Sequence, residues 1–364
     1  MLASDLPRAM ETAAIAGFDP SPDRRWREID IGHWEGLTRE EVNRRFPDEI
    51  TRANAGEPVR LGGGESWAEL AVRVKRAVSE LAAEIPDGSR VLVFTHGGVI
   101  HAAVEAGLGL VGRHLTDDGN SRLGHVRNAS VTRVVAGASE FRLDSYNDVV
   151  HLGIGPAHGP VIALIRHGES EANVAGRWHG RTDGPLSEHG RAQAVALGER
   201  YLDVTRVFAS PLARARETAE AFAASHHIEV GIRDDLVEID LGVWENLTVA
   251  EISERHPDEW AAVFEHGHDL PRGGTGETSA GAGARLGAAI DDVAARHAGE
   301  RVALVSHGGL IWAAIARIIG IEWQAWRSLG FPGNASVTHV GVDGAPALVD
   351  YNTGALPLRA RVES

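Results

Sequence analysis

Most of this chain is written twice, and that constrains its fold more than any other feature. ASDLPRAMETA at 3–13 matches ASPLARARETA at 209–219, and EIDIGHWEGLT at 28–38 matches EIDLGVWENLT at 238–248. RVLVFTHGGVIHAAV at 90–104 matches RVALVSHGGLIWAAI at 301–315, and NASVTRV at 128–134 matches NASVTHV at 334–340. Order and spacing are kept: Arg8 to Arg214 is 206 positions, Glu28 to Glu238 is 210 and His96 to His307 is 211. Such a period is far beyond the roughly 20–50 residues of a stacked solenoid, so each copy is a domain. The length of 364 residues agrees, at roughly 150 residues per domain. The Gly/Pro-rich stretch HLGIGPAHGP at 151–160 is suited to a connection. The predicted layout is an incomplete domain over 1–152, a linker over 153–160 and a complete domain over 161–364.

The copies are unequal. The second has 49 residues, 161–209, ahead of Ser210; the first has only Met1 to Ala3 ahead of Ser4. The first copy therefore lacks the strand VIALIR, the helix after it and the next strand. Three accounts are open: a start placed inside a domain, a degenerate relic, or a half-domain completed by another chain. The first is the expectation, because Met1 runs directly into the repeated LASDLPRA block.

The second copy alternates apolar runs with helical patterns. Val161–Ile165, Arg206–Ala209 and Val302–Ser306 read as strands. Helices are predicted from Ser187, as N-cap, to about Tyr201; from Pro211, at the first position, through Leu212–Ala223; over Gly281–Arg296; and over Leu310–Ile319. Ser336–Val342 and Ala347–Tyr351 read as a hairpin around Asp343-Gly344. Alternating βα units imply an α/β fold, a mainly parallel doubly wound sheet with helices on both faces, in two tandem copies. Ligands of such sheets bind at the carboxyl ends of the strands, where His167, Ser210 and His307 fall.

Chemistry gathers at those ends. VIALI ends in Arg166-His167-Gly168-Glu169, and VALVS ends in His307-Gly308-Gly309. Histidine can carry a covalent intermediate, and arginine grips phosphate with two parallel hydrogen bonds. Arg214 falls in the first turn of a helix, where backbone N–H groups attract anions. Arg216 reads as a solvated helix residue. The Gly308-Gly309 pair lets backbone N–H groups approach a phosphate closely. Glu238 suits general acid/base work, with Asp240 two residues on as its competitor.

The RHGES string, with SPLARARETA and SHGG, resembles the histidine phosphatase superfamily, also called phosphoglycerate mutase-like. The resemblance covers the second copy well and the first partially. It implies His167 as nucleophile, Glu238 as acid/base and His307 as the second catalytic histidine. It implies a phosphate site of Arg166, Arg214, Asn173 and Gly308, and a substrate mouth that includes Ser170 and Arg177. The glycines of PRGGTGETSAGAG, 271–283, would form a loop near the substrate, with Glu277 matching Glu65. One departure is Asn246, where the first copy keeps Gly36. A larger one is the first copy itself: Arg8, Glu28 and His96 remain, but no histidine nucleophile accompanies them.

The resulting expectation is a metal-independent phosphomonoester hydrolase acting on a small phosphorylated metabolite, with no cofactor. Two alternatives stand beside it. One is a cofactor-dependent phosphoglycerate mutase, disfavoured by the compact stretch between Glu238 and His307. The other gives the first copy a non-catalytic regulatory or interaction role, supported if Ser4 to Ala16 faces solvent with apolar residues. A homo-oligomer or a contact between the copies is the remaining partner class. The net charge of −15 argues against nucleic acid, which recruits basic surfaces. No apolar run approaches the roughly 20 residues of a membrane helix, and the start lacks a signal-peptide pattern, so a cytoplasmic protein is expected. The absence of cysteine excludes disulfides and thiolate chemistry. Ser225-His226-His227 and His266-Gly267-His268 lack the companions of a metal site, and no Walker-type loop is present.

Overall fold

The computed structural model describes all residues except 56, 111–120, 138–139, 154–159, 201–203 and 355–364. Most of the predicted linker, and Tyr201 at the end of its helix, lie outside the described residues. The described chain forms two compact units: 1–128 with 134–143, and 129–133 with 144–364.

In the first unit three short parallel strands, β1 (Leu2–Ala3), β2 (Ser21–Pro22) and β3 (Val93–Phe94), lie in the order β2-β1-β3. Helices Trp67–Glu84 and Gly97–Leu108 pack on them through Leu70, Val74, Val99 and Ala102, together with Trp26. Burying one apolar stripe of each helix is what stabilises this unit. Among the described residues β3 is an edge, and its residues are only half-buried. The copy closes with a hairpin, β4 (Val131–Ala136) and β5 (Phe141–Asp148).

In the second unit the strands are β6 (Val161–Arg166), β7 (Arg177–Trp178), β8 (Arg206–Ala209), β9 (Val230–Ile232), β10 (Leu247–Thr248), β11 (Val302–Ser306), β12 (Val337–Gly341) and β13 (Ala347–Thr353). The main sheet runs β4-β5-β13-β12-β6-β11-β8-β9. Strands β6, β11, β8 and β9 are parallel neighbours. The antiparallel pair β12–β13 continues the sheet from β6. β5 joins it through Tyr146, which pairs with Tyr351. The strand carrying the RHG string is thus central, between β11 and β12. β11 is buried along its whole length, so an uninterrupted apolar run is its sequence signature.

Helices follow the strands as predicted, with shifts at their ends. The Ser187 hydroxyl accepts the Gly190 N–H at 3.0 Å and caps helix Glu188–Arg200. Pro211 lies outside its helix: Leu212 is the N-cap of Ala213–Ala224, because the Ser210 hydroxyl takes the Leu212 N–H at 3.3 Å and holds the turn open. Thr278 caps Ser279–Arg296, two residues earlier than predicted. Helix Gly308–Ile319 starts at the glycine pair and stops at Gly320 with φ of 81°. Gly36 and Asn246 both occupy left-handed backbone, at φ of 75° and 60°. Asparagine tolerates that region, so their difference leaves the turn intact. Among the described residues no helix is long and apolar enough to cross a membrane.

Candidate active site

The ends of β6, β8 and β11 bring His167, Ser210 and His307 together. His167 donates its backbone N–H to the Ser306 carbonyl at 2.9 Å, which fixes one strand end against the other. Its Nδ1 lies 2.7 Å from the Gly168 carbonyl. A carbonyl can only accept, so Nδ1 carries the proton and Nε2 keeps its lone pair. The His307 ring sits 5.2 Å away, edge-on, with Nε2 bonded to the Ser210 hydroxyl at 2.8 Å. Its Nδ1 is buried without a partner. Both rings are almost fully buried, His167 at 4% exposure and His307 at 0%.

Two guanidiniums complete the cluster. Arg214 is buried and donates from Nη2 to the Gly180 carbonyl at 2.7 Å and from Nη1 to the Thr182 carbonyl at 3.0 Å. Arg166 bonds the Pro332 carbonyl and lies over the Phe331 ring at 5.3 Å, leaving Nε without a partner. Burial pushes Arg166 down to about 10, Arg214 adds to this, and Glu238 opposes it. Both histidines fall well below the ordinary imidazole range. For His167 the causes are burial, then Arg166 and Arg214; for His307 they are burial, then Arg214 and His167. At neutral pH the rings are therefore neutral and the guanidiniums charged. That combination suits a nucleophile facing a dianionic phosphoryl group.

Glu238 is held by the first turn of helix Gly308–Ile319. It accepts the N–H groups of Ile239 at 2.8 Å, Gly309 at 3.0 Å and Leu310 at 2.8 Å. Its charge acts on both Arg166 and Arg214. Asp240, the competitor, instead accepts the Gly242 N–H at 2.8 Å and pairs with Arg181 at 3.4 Å. The glycine pair is required by space: a Cβ at Gly308 would stand 3.0 Å from Arg166 Nε and clash with Phe331. A Cβ at Gly309 would stand 2.8 Å from Glu238 Oε1.

The residues expected at the mouth divide. Asn173 Oδ1 accepts Asn334 Nδ2 at 3.0 Å, and that amide also reaches the His167 carbonyl at 3.2 Å, so Asn173 joins the cluster. Ser170 is buried, and its hydroxyl caps the short helix Glu171–Val174. Arg177 bonds the Asn246 carbonyl and Glu251, a clip beside the paired strands β7 and β10. The Ser170 hydroxyl and Arg177 Nη1 are thus engaged in local structure. Glu277, in the glycine loop, pairs with Arg285 at 2.7 Å, and Arg285 also bonds the carbonyls of Asp235 and Val237 just before Glu238. Glu65 and Arg73 repeat that arrangement at 2.8 Å. Arg216 is exposed, as read. Among the described residues no group of three or more His, Asp or Glu gathers in a way that could hold a metal ion. The sequence marks Ser210 only as a strand end and does not single out Thr182 or Glu245; the repeated ASDL/ASPL and WEG/WEN strings are the local signals for Ser210 and Glu245.

One family model, histidine phosphatase superfamily (branch 1), matches the chain twice, over 1–149 and 162–353. The chain belongs to that superfamily. It is 34% identical to phosphoserine phosphatase 1 of Hydrogenobacter thermophilus over 173 residues, 46% of this chain and 81% of the relative. It is 38% identical to the metal-independent phosphoserine phosphatase of Arabidopsis thaliana over 193 residues, 52% of this chain and 79% of the relative. A Klebsiella pneumoniae protein named "Probable phosphoglycerate mutase GpmB" is 33% identical over 51% of this chain and 87% of its own length. With phosphatases among its relatives at this level, this histidine phosphatase is a phosphoric monoester hydrolase. Its first copy repeats part of this frame. His96 Nε2 meets the Ser4 hydroxyl at 2.8 Å, and Glu28 accepts the N–H groups of Ile29 at 3.0 Å and Gly98 at 3.2 Å. Arg8, however, donates from Nε to His96 Nδ1 at 3.2 Å.

Proposed function

We propose that the second copy hydrolyses a small phosphorylated metabolite through a phosphohistidine at His167, without a metal. The observation that carries this reading is the 2.7 Å contact of His167 Nδ1 with the Gly168 carbonyl, which only accepts and so leaves Nε2 unprotonated beside Arg166, Arg214 and His307. Nε2 attacks phosphorus and the ester P–O bond breaks. The departing oxygen takes a proton from Glu238. Water then attacks phosphorus, Glu238 takes back a proton, and the P–N bond breaks to release phosphate. The two guanidiniums and His307 neutralise charge on the phosphoryl oxygens, which supplies most of the rate in such transfers. Phosphoserine and phosphoglycerate, named with the relatives or their close kin, head the substrate panel.

The test is turnover of that panel by the parent and by His167→Ala, with and without EDTA. His167→Ala should fold and retain less than about 1% of activity, within the 10²–10⁴-fold or larger loss of a removed catalytic group. EDTA should change nothing. Trapped, acid-labile phosphohistidine should appear in the parent only. Isomerisation of phosphoglycerate faster than phosphate release would favour the mutase reading instead.

A further inference from the structure

Two matching arginines in this chain have different partners. Arg214 is held away from His307 by the carbonyls of Gly180 and Thr182, and His307 Nδ1 stays without a partner. Among the described residues Arg8 shows another arrangement, with its Nε donating to His96 Nδ1 at 3.2 Å. What fixes the 180–182 turn is a carboxylate. Glu245 Oε1 accepts the Arg181 N–H at 2.7 Å, and Oε2 accepts the Thr182 N–H at 2.9 Å and the Thr182 hydroxyl at 2.6 Å. The turn brings Gly180, at φ of 53°, so close that a Cβ there would stand 2.6 Å from Glu245 Oε1. Glu35, the matching residue of the first copy, is exposed.

We propose that Glu245 is a positioning residue for the phosphate site. It holds the 180–182 turn, the turn's carbonyls hold the Arg214 guanidinium, and His307 Nδ1 is thereby kept open to the phosphoryl group. Three hydrogen bonds to an ionised carboxylate are the strong kind, so the clamp is stiff. A guanidinium aimed by fixed acceptors is preorganised and needs no rearrangement as charge develops on phosphorus. Without the clamp, the carbonyls that fix Arg214 are free to move, and its guanidinium can turn toward His307 Nδ1. Glu245 touches neither substrate nor the reacting atoms in this account.

This inference rests on the reading of His167 and Arg214 as the phosphate site, and a double-mutant cycle in the full chain separates the two. Glu245→Ala, Glu245→Gln, Arg214→Ala and Glu245→Ala with Arg214→Ala are compared for kcat/KM and for inhibition by inorganic phosphate and vanadate. Expected is a loss of about 10²-fold in kcat/KM for Glu245→Ala, the scale of one misplaced transition-state donor. Inhibition should weaken by about tenfold. Glu245→Gln, which keeps one acceptor, should lose less. In the Arg214→Ala background Glu245→Ala should cost almost nothing further, since non-additivity marks residues acting through one another. Equal losses in both backgrounds would overturn the proposal, as would parent-like kcat/KM in Glu245→Ala. If Glu245→Ala fails to fold, the same cycle with Glu245→Gln decides. Failure of the underlying site reading would show separately, as full activity in Arg214→Ala.

Discussion

At the residue scale the site is built by burial acting on imidazoles. Histidine titrates near 6.5 in an unfolded chain, and His167 and His307 sit well below that when folded. As pH falls below about 6.5 the unfolded chain binds protons that the folded chain refuses, so stability is full above that pH and is lost as pH falls. Each histidine contributes a slope of at most about 1.4 kcal/mol per pH unit in that window. The melting temperature should therefore drop between about pH 7.5 and about pH 5.5, before carboxylates begin to protonate. With His167 as the proposed nucleophile and already neutral at pH 7, the acid limb of kcat/KM should also lie below about 6.5. An acid limb above that value, or a melting temperature flat across the window, would contradict the buried neutral pair.

At the scale of elements, the decisive joint is the β11–helix turn. Its glycines put backbone N–H groups against Glu238 and leave room for Arg166. Gly309→Ala should push Glu238 off that helix start, at about 1–3 kcal/mol of strain and about 10²-fold in kcat. The first copy supplies a control, because a Cβ at Gly98 would meet Glu28 in the same way. Gly98→Ala should strain its unit comparably yet leave turnover unchanged. Kinetics and thermal melts of both variants measure this. A loss of turnover in Gly98→Ala would assign the first copy a catalytic part.

At the scale of the molecule, the sequence boundary and the structural one differ. Residues 144–148 belong by sequence to the first copy, but they complete the second unit's sheet. Tyr146 and Tyr351 are both fully buried there. Asn147 reaches the Val349 carbonyl at 2.9 Å, and Asn352 reaches the Asp144 carbonyl at 2.7 Å. A fragment starting at 161 would bare the β13 edge, and bare edges associate. A fragment starting at 129 should melt several degrees higher, at roughly 2–4 °C per kcal/mol for a domain of this size, and stay monomeric. Equal melting temperatures and equal association would show that β5 contributes nothing to the second unit.

The duplication, the alternating strands and helices and the three strand-end residues were legible in the sequence, because buried strands and strand-to-helix glycines leave local marks. His167, Arg214 and His307 stood in such marks. What the sequence could not give was direction. Ser170 and Arg177 have site-like identities, yet their polar atoms are engaged by a helix start and a strand clip. Pro211 has the identity of a first helical residue, but the Ser210 hydroxyl delays the helix by two positions. Glu245 is one acidic residue among 51 Asp and Glu until the tertiary structure sets it beneath the turn that aims Arg214. Periodicity is a property of neighbours along the chain, whereas the aim of a guanidinium depends on acceptors supplied from 32 and 34 positions away, and only folding brings those together.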